Sequence, residues 1–273
     1  MFGYCFSLTT APELPATTLP GSCYRHMFSY CKSLTDIKVA FTTFTSATTL
    51  WTSSVPKSGT FSCPEGLTET GPGKIPTGWT VKNTYDLTIS SETGWASMCV
   101  NLPLQVPEDG SVDVYYASAV DGTTIELTQI AAGTVMAAKT AVIVKGAKGT
   151  VGFPIAPKGV TITSFDDNLF QGSSVAKACN AGENYVLNAS KSSDDNVHFS
   201  IYTGTTLSDH KAYLPMSAVG GASSIQFRFG DATAISSVET EVAEDVIYNL
   251  AGQRVGSDYR GIVIKNGKKA FNN

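Results

Sequence analysis

Charged residues are scarce in this 273-residue chain, of which Asp, Glu, Lys and Arg make up 15%, against about 25% in an average soluble protein. The formal net charge is −4. No basic surplus is available to displace counter-ions from phosphates, so nucleic acid is not expected as a partner. No apolar run approaches the roughly 20 residues that a membrane-spanning helix needs, so no membrane-spanning segment is predicted.

The sequence also lacks the cysteine and histidine spacings of a metal site. Its six cysteines contain no C-x-x-C pair and none lies near a histidine pair with ligand spacing, so no metal site is predicted. Most are expected to be small buried hydrophobes. A disulfide from Cys31 to Cys5 or to Cys23, formed in an oxidising compartment, is the open alternative. The six positions are Cys5, Cys23, Cys31, Cys63, Cys99 and Cys179.

Hydroxyl groups replace the missing charge. The chain contains 32 Thr and 28 Ser, with 25 Gly and 12 Pro. Threonine favours strands and turns because its branched β-carbon is stiff in a helix. The composition therefore predicts a mainly β, turn-rich protein.

An internal repeat marks the N-terminus. The segment MFGYCFSLT (residues 1–9) returns as MFSYCKSLT (27–35), with seven of nine positions identical at an offset of 26 residues. This period lies in the leucine-rich-repeat range, in which each short strand buries its apolar face by stacking on the next repeat. An array of this kind needs at least three repeats to be stable. We therefore expect the chain to be the C-terminal part of a longer protein, or the product of an open reading frame truncated upstream.

These residues carry a family resemblance. The stretch CFSLTTAPELPATTLPGSCYRHMFSYCKSLT (5–35) resembles the repeats of BspA-like leucine-rich-repeat surface proteins of Bacteroidetes. The resemblance implies a solenoid, a secreted or cell-surface, outer-membrane-associated location, and adhesion to an extracellular protein or glycan. The following stretch resembles the segment that closes such arrays, and Trp51, Phe61 and Trp79 would then cover the end of the repeat core. An exposed aromatic binding platform is the alternative.

Three regions are predicted. Residues 1–82 form the repeats and their cap. Residues 83–233 show short strands between turn signals and are expected to form an antiparallel β-sandwich or jelly roll. Residues 234–273 form a small β module with a hairpin at Asn266-Gly267, and its pattern IYNLAGQRV…GIVIKNGKK is similar to the C-terminal sorting tails of Bacteroidetes secreted proteins.

The sequence contains no recognisable set of catalytic residues. The three histidines, His26, His198 and His210, have no nucleophile partner of the G-x-S-x-G type. The doublets Asp166-Asp167 and Asp194-Asp195 lie in turn-like stretches and are expected to be solvated, with a loop calcium site as the next alternative. The prediction is a non-enzymatic protein with no catalytic residues and no cofactor, whose ligand-binding residues the sequence does not identify.

Three functions remain open. The first is binding or adhesion through the repeats. The second is a carbohydrate-binding accessory module of a larger secreted enzyme, which would present exposed aromatics, with Tyr115, Tyr202 and Tyr213 as the candidates. The third is a structural stalk.

Overall fold

A computed structural model describes residues 2–189 and 197–229, and the backbone of residues 247–249, 254–255, 260–265 and 268–272. The fold is 39% strand and 3% helix, with several separate sheets, which confirms the mainly β class. The chain divides into two compact units, residues 1–230 and 231–273. The predicted boundary at residue 82 stays a prediction. None of the helices in the described part of the chain is long or apolar enough to cross a lipid bilayer.

The first unit begins with a parallel sheet of three short strands, β1 (Asp36–Lys38), β2 (Thr60–Ser62) and β3 (Thr80–Lys82). In the register, Ile37 pairs with Phe61, and Phe61 pairs with Val81. A parallel bridge from Thr10 to Asp36 extends this arrangement toward the N-terminus. A 3-10 turn (Ser46–Thr48) lies between β1 and β2.

The inward row of this sheet packs on an aromatic core. Ile37 and Phe61 are fully buried, and Trp51 packs edge-on against Phe61 with 5.9 Å between ring centroids. In this core the indole N–H groups of both tryptophans are satisfied by backbone carbonyls: Trp51 donates to Lys74 at 3.1 Å and Trp79 to Pro56 at 2.8 Å. Trp51, Phe61 and Trp79 are all buried, so they do not form an exposed platform.

The rest of the first unit contains sixteen described strands. The first eight are β4 (Thr84–Ile89), β5 (Trp95–Met98), β6 (Leu104–Gln105), β7 (Val112–Asp121), β8 (Thr124–Ile130), β9 (Val135–Met136), β10 (Val142–Gly146) and β11 (Gly149–Pro154). The next eight are β12 (Ile162–Thr163), β13 (Gln171–Ser173), β14 (Lys177–Ala178), β15 (Asn184–Asn188), β16 (His198–Ile201), β17 (Thr206–Leu207), β18 (Lys211–Pro215) and β19 (Ser224–Phe229). A second 3-10 turn (Met216–Ala218) follows β18.

Nine of these strands form one sheet in the order β13-β18-β15-β16-β19-β8-β7-β10-β5. All neighbouring pairs are antiparallel except β19 with β8. The sheet nearly closes on itself: the backbone N–H of Cys99, just after β5, donates to the carbonyl of His210, just before β18, at 3.1 Å. Smaller sheets pair β11 with β4, β12 and β6 with β9, and β14 with β17.

Strand β10 shows why this sheet holds two separate cores. Its residues Val142, Ile143 and Val144 are all fully buried, which is typical of a continuous apolar run in a strand that is covered on both faces. Val142 and Val144 pack with one apolar cluster, which includes Phe153, whereas Ile143 packs with the other, which includes Trp95. Alternate residues of the strand therefore belong to opposite faces of the sheet.

The second unit contains a four-stranded sheet in the order β21-β20-β22-β23. Its strands are β20 (Ile247–Asn249), β21 (Arg254–Val255), β22 (Gly261–Lys265) and β23 (Lys268–Asn272). β22 and β23 pair antiparallel with Lys265 opposite Lys268, as predicted for a hairpin. The turn residues Asn266-Gly267 lie outside the described residues.

Candidate functional site

The outward side of β1–β3, here called the strand face, carries only polar residues. Because side chains alternate along a strand, burying Ile37, Phe61 and Val81 turns their neighbours outward. The parallel register then aligns these neighbours in two rows across the sheet. One row contains Asp36, Thr60 and Thr80, and the other contains Lys38, Ser62 and Lys82.

The charges of the strand face are paired locally. Lys38 contacts Asp36 in an ion pair within β1. Lys82 donates to Asp86 at 2.7 Å, and this hydrogen bond is the main cause of the lowered pKa of Asp86 and of the raised pKa of Lys82. Two lysines and two aspartates leave the surface with no net charge. The surface therefore fits a neutral polar ligand or one with both charges better than a polyanion.

A cleft of about 660 Å³ lies over the strand face. Ser62 is only 3% exposed, yet its hydroxyl lines this cleft and has no hydrogen-bond partner among the residues that the structure describes. Within the described residues no fully buried side-chain oxygen or nitrogen lacks a hydrogen-bond partner, so the Ser62 hydroxyl is open to water in the cleft and available to a ligand. Tyr85 forms one wall, where burial and then the nearby carboxylate of Glu13 raise its pKa.

A second cleft of about 540 Å³, here called the wedge cleft, opens beside the seam of the nine-stranded sheet. The pairing of β15 with β18 ends at Val186 and Tyr213, although β15 continues to Asn188 and β18 begins at Lys211. β5 lies close to the part of β18 that β15 does not pair with. The cleft is lined by residues 95–97 of β5, by Val186, Leu187 and Ala189, by residues 211–213 of β18, and by the loops around them.

His210 lies in a cluster that joins the N-terminal segment to the nine-stranded sheet. Its Nε2 lies 3.0 Å from Glu13 Oε1 and its Nδ1 lies 3.1 Å from Asp209 Oδ2. The Glu13 side chain is 7% exposed and its other oxygen accepts from the backbone N–H of Asn101 at 2.5 Å. The hydrogen bond to Glu13 raises the pKa of His210, and Asp209 adds to this effect, against the opposing effect of burial.

This cluster is arranged for structure rather than for proton transfer. Both ring nitrogens of His210 face carboxylates, so the imidazole has no free nitrogen to accept a proton from a hydroxyl or thiol nucleophile. The pair with Glu13 joins residues 197 positions apart. No sequence signal links the two residues, because their contact depends on how the N-terminal segment packs on the sheet.

The other candidate residues stay apart. His26 is half-buried in a left-handed turn with φ 55°, and His198 lies opposite Asn188 in the β15–β16 pair. Asp166 and Asp167 are exposed in a turn, where the hydroxyl of Tyr116 lies 3.4 Å from Asp167 Oδ2. Asp194-Asp195 lie outside the described residues. Within the described ranges, no group of three or more His, Cys, Asp or Glu side chains is placed to hold a metal ion.

Two of the three candidate tyrosines line the wedge cleft. Tyr202 is half-buried there, whereas Tyr213 is 3% exposed and its hydroxyl lies 3.2 Å from Lys177 Nζ. Tyr115 is half-buried elsewhere, against Trp95 and Phe229. The three rings therefore do not form one flat exposed platform.

All six cysteines are free thiols. Cys31, Cys63 and Cys99 are buried, Cys179 is half-buried, and Cys5 and Cys23 are exposed. Burial raises the pKa of Cys63 to about 12 and that of Cys99 to about 11. These two thiols are therefore protonated and unreactive at neutral pH.

The chain matches no protein-family model, no curated protein and no solved structure. The BspA-like resemblance therefore stays a prediction that rests on the repeated residues.

Proposed function

We propose that this chain is a non-catalytic binding protein of the cell surface or of the secreted fraction, which contacts an extracellular protein or glycan through the strand face. The observation that carries the proposal is the Ser62 hydroxyl, which opens into the 660 Å³ cleft and has no hydrogen-bond partner among the described residues. A ligand hydroxyl or amide would supply that partner. The lysines in register on either side, Lys38 and Lys82, would contact acceptors of the same ligand.

We further propose that residues 1–82 are leucine-rich repeats with a closing cap. Several contacts support this. The rings of Phe2 and Phe28 stack with centroids 5.9 Å apart, at the spacing of the sequence repeat. The parallel strands continue at similar spacings, because the register partners Asp36, Thr60 and Thr80 lie 24 and then 20 residues apart in sequence.

The fold of residues 83–233 and the role of residues 234–273 are also proposals. Residues 83–233 would form a sandwich-like domain, a reading supported by apolar clusters on both faces of the nine-stranded sheet. Residues 234–273 would act as a sorting module, supported by the sequence pattern alone. A carbohydrate-binding accessory module and a structural stalk remain the alternative functions.

The test is a binding screen on a panel of extracellular-matrix proteins and on a glycan array. We expect the wild-type chain to bind at least one target, and Thr60→Arg, which places a long charged side chain on the strand face, to weaken that binding by at least about tenfold. The matched control is Thr123→Arg, in the exposed turn between β7 and β8 and away from both clefts. A chain that binds no target, or binding that Thr60→Arg leaves unchanged, would overturn the proposal.

A further inference from the structure

The wedge cleft contains a serine hydroxyl that no other described residue bonds. Ser97 lies on β5 opposite Ile143 and is 8% exposed. Its hydroxyl lines the cleft and makes no hydrogen bond to any described residue. Because no fully buried side-chain oxygen or nitrogen of the described residues lacks a partner, this hydroxyl is open to water in the cleft. A hydroxyl of a ligand can replace that water as its hydrogen-bond partner.

The walls of the cleft are held in place by hydrogen bonds of the fold. The hydroxyl of Thr93 donates to the carbonyl of Ala189 at 3.3 Å, which ties the loop before β5 to the end of β15. The backbone bond from Cys99 to His210 ties the end of β5 to the start of β18. The cleft is therefore present before any ligand arrives, which reduces the entropy cost of binding.

The described residues of the lining are rich in hydroxyl groups, and their charges balance. Among them, one acid, Glu92, and one base, Lys211, lie among uncharged side chains. The apolar part of the lining comes from β5, β15 and β18 and includes Ala96, Val186 and Ala212. The hydroxyl-bearing residues are Thr88, Ser90, Ser91, Ser97, Tyr202, Ser208 and Tyr213. Hydroxyl groups around an apolar floor complement a ligand that is itself covered with hydroxyls and has C–H faces.

The ring of Tyr202 is fixed at this cleft. Its hydroxyl donates to the carbonyl of Thr206 at 2.6 Å. Gly204 lies against the ring, and a Cβ there would be 2.4 Å from the Tyr202 Oη, so only glycine leaves room for this orientation. A fixed aromatic side chain offers an apolar face at little entropic cost.

We propose that the wedge cleft binds one neutral sugar unit, with the Ser97 hydroxyl bonded to a hydroxyl of the sugar and the Tyr202 ring beside its C–H groups. The volume of about 540 Å³ lies within the range of about 300–1,000 Å³ for small-ligand sites. This site is separate from the strand face and stands independently of the function proposed for that surface.

The test uses the full chain, labelled with ¹⁵N, and the methyl glycosides of glucose, galactose, mannose and N-acetylglucosamine. We expect at least one glycoside to shift the backbone amide signals of Ser97 and Lys211, with a Kd of about 1 mM or tighter. Ser97→Ala should weaken this binding by about tenfold, because one hydrogen bond to the sugar is lost. Tyr202→Leu should also weaken it.

The matched control is Thr123→Ala, which removes a hydroxyl from the exposed turn between β7 and β8, away from both clefts, and should leave glycoside binding unchanged. Ser97→Ala removes no hydrogen bond between described residues, so its melting temperature should stay close to that of the wild type. The proposal is overturned if no glycoside shifts these signals, if Ser97→Ala binds as tightly as the wild type, or if short neutral peptides bind the cleft more tightly than every glycoside. Loss of matrix-protein binding in Thr60→Arg with glycoside binding intact would separate the two sites.

Discussion

Glu13 lies in an environment that its sequence context does not predict. It follows Ala11 and Pro12 in the repeat segment, where a carboxylate is expected at the surface, yet its side chain is 7% exposed. His210 and the backbone N–H of Asn101 satisfy its two oxygens. A buried carboxylate is tolerated because both oxygens are paired.

The first prediction concerns the pH dependence of stability. Glu13 and Asp209 raise the pKa of folded His210 above its unfolded value. The stabilisation is therefore fully present below about pH 6.5, the unfolded pKa, and is lost as pH rises through the folded pKa. In Glu13→Gln the main cause of the raised pKa is absent. We expect urea unfolding of the wild type to show this loss of stability, and Glu13→Gln to show a smaller one.

The size of this effect is modest because His210 is about one-third exposed. We expect Glu13→Gln to lower the free energy of unfolding by about 1 kcal/mol below pH 6.5, with a smaller deficit at high pH. Asp209→Asn is the matched control, and since Asp209 is 63% exposed its effect should be smaller still. Equal pH profiles for the wild type and Glu13→Gln would contradict the assignment.

The composition shows that hydroxyl groups are abundant, but it does not indicate which of them lack a hydrogen-bond partner among the described residues. Thr93, in the loop before β5, and Ser97, within β5, are both buried residues of one short segment. The first donates to Ala189, whereas the second faces the wedge cleft. The difference depends on where β15 and β18 stop pairing, which is a property of the register and is invisible in a single sequence.

At the scale of elements, the sequence predicted local features well. The stacking of Phe2 on Phe28 follows directly from the 26-residue repeat. The dipeptide Asp121-Gly122 is a tight-turn signal, and the β7–β8 hairpin does turn here, with Asp121 ending β7 opposite Thr124 and with Gly122 in the turn at φ 59°. By contrast, β2 and β3 do not repeat the sequence motif, so their places in the parallel sheet could not be read from identity alone. Their parallel pairing depends on buried Phe61 and half-buried Val81.

The second prediction concerns the loop between β4 and β5. Gly94 has φ 73°, and a Cβ there would lie 2.1 Å from the carbonyl oxygen of Gly146. The same backbone pair carries a hydrogen bond from the Gly146 N–H to the Gly94 carbonyl at 2.9 Å. Gly94→Ala therefore adds a steric clash to left-handed strain. We expect a loss of about 3 kcal/mol in the free energy of unfolding, measured by urea denaturation.

Gly122→Ala is the matched control for this prediction. Gly122 also has a left-handed φ, 59°, but a Cβ there meets no atom within 4 Å. Only the backbone strain remains, so we expect a loss of about 1 kcal/mol. If both variants lost the same stability, the close approach of Gly94 to Gly146 would have no energetic importance.

At the scale of the whole molecule, the order of the nine-stranded sheet is the least predictable feature. β8 pairs with β7, its neighbour in sequence, but also with β19, about 100 residues later and parallel to it. Short strands of similar composition can pair in many orders, and tertiary packing decides between them. The strand content could be predicted from alternation and turn signals, whereas the closing of the sheet beside His210 could not.

The third prediction is that residues 1–230 unfold as one cooperative unit, although they contain three apolar clusters. The clusters are linked. Ala40, two residues after β1, packs in the cluster of Phe153, and Glu13 bonds to Asn101 and His210 across the same junction. Disrupting the N-terminal core should therefore destabilise the nine-stranded sheet equally.

Leu34→Ala tests this coupling. Leu34 is fully buried in the N-terminal cluster, so its truncation should cost about 3 kcal/mol. Amide hydrogen exchange should report this loss equally at Ile37 in β1 and at Val144 in β10, because both amides exchange through the same global opening. Val175→Ala, at a position that is 65% exposed, is the control and should change neither amide. Faster exchange at Ile37 with unchanged exchange at Val144 would show that the N-terminal segment unfolds independently, and that the Glu13–His210 junction does not couple it to the sheet.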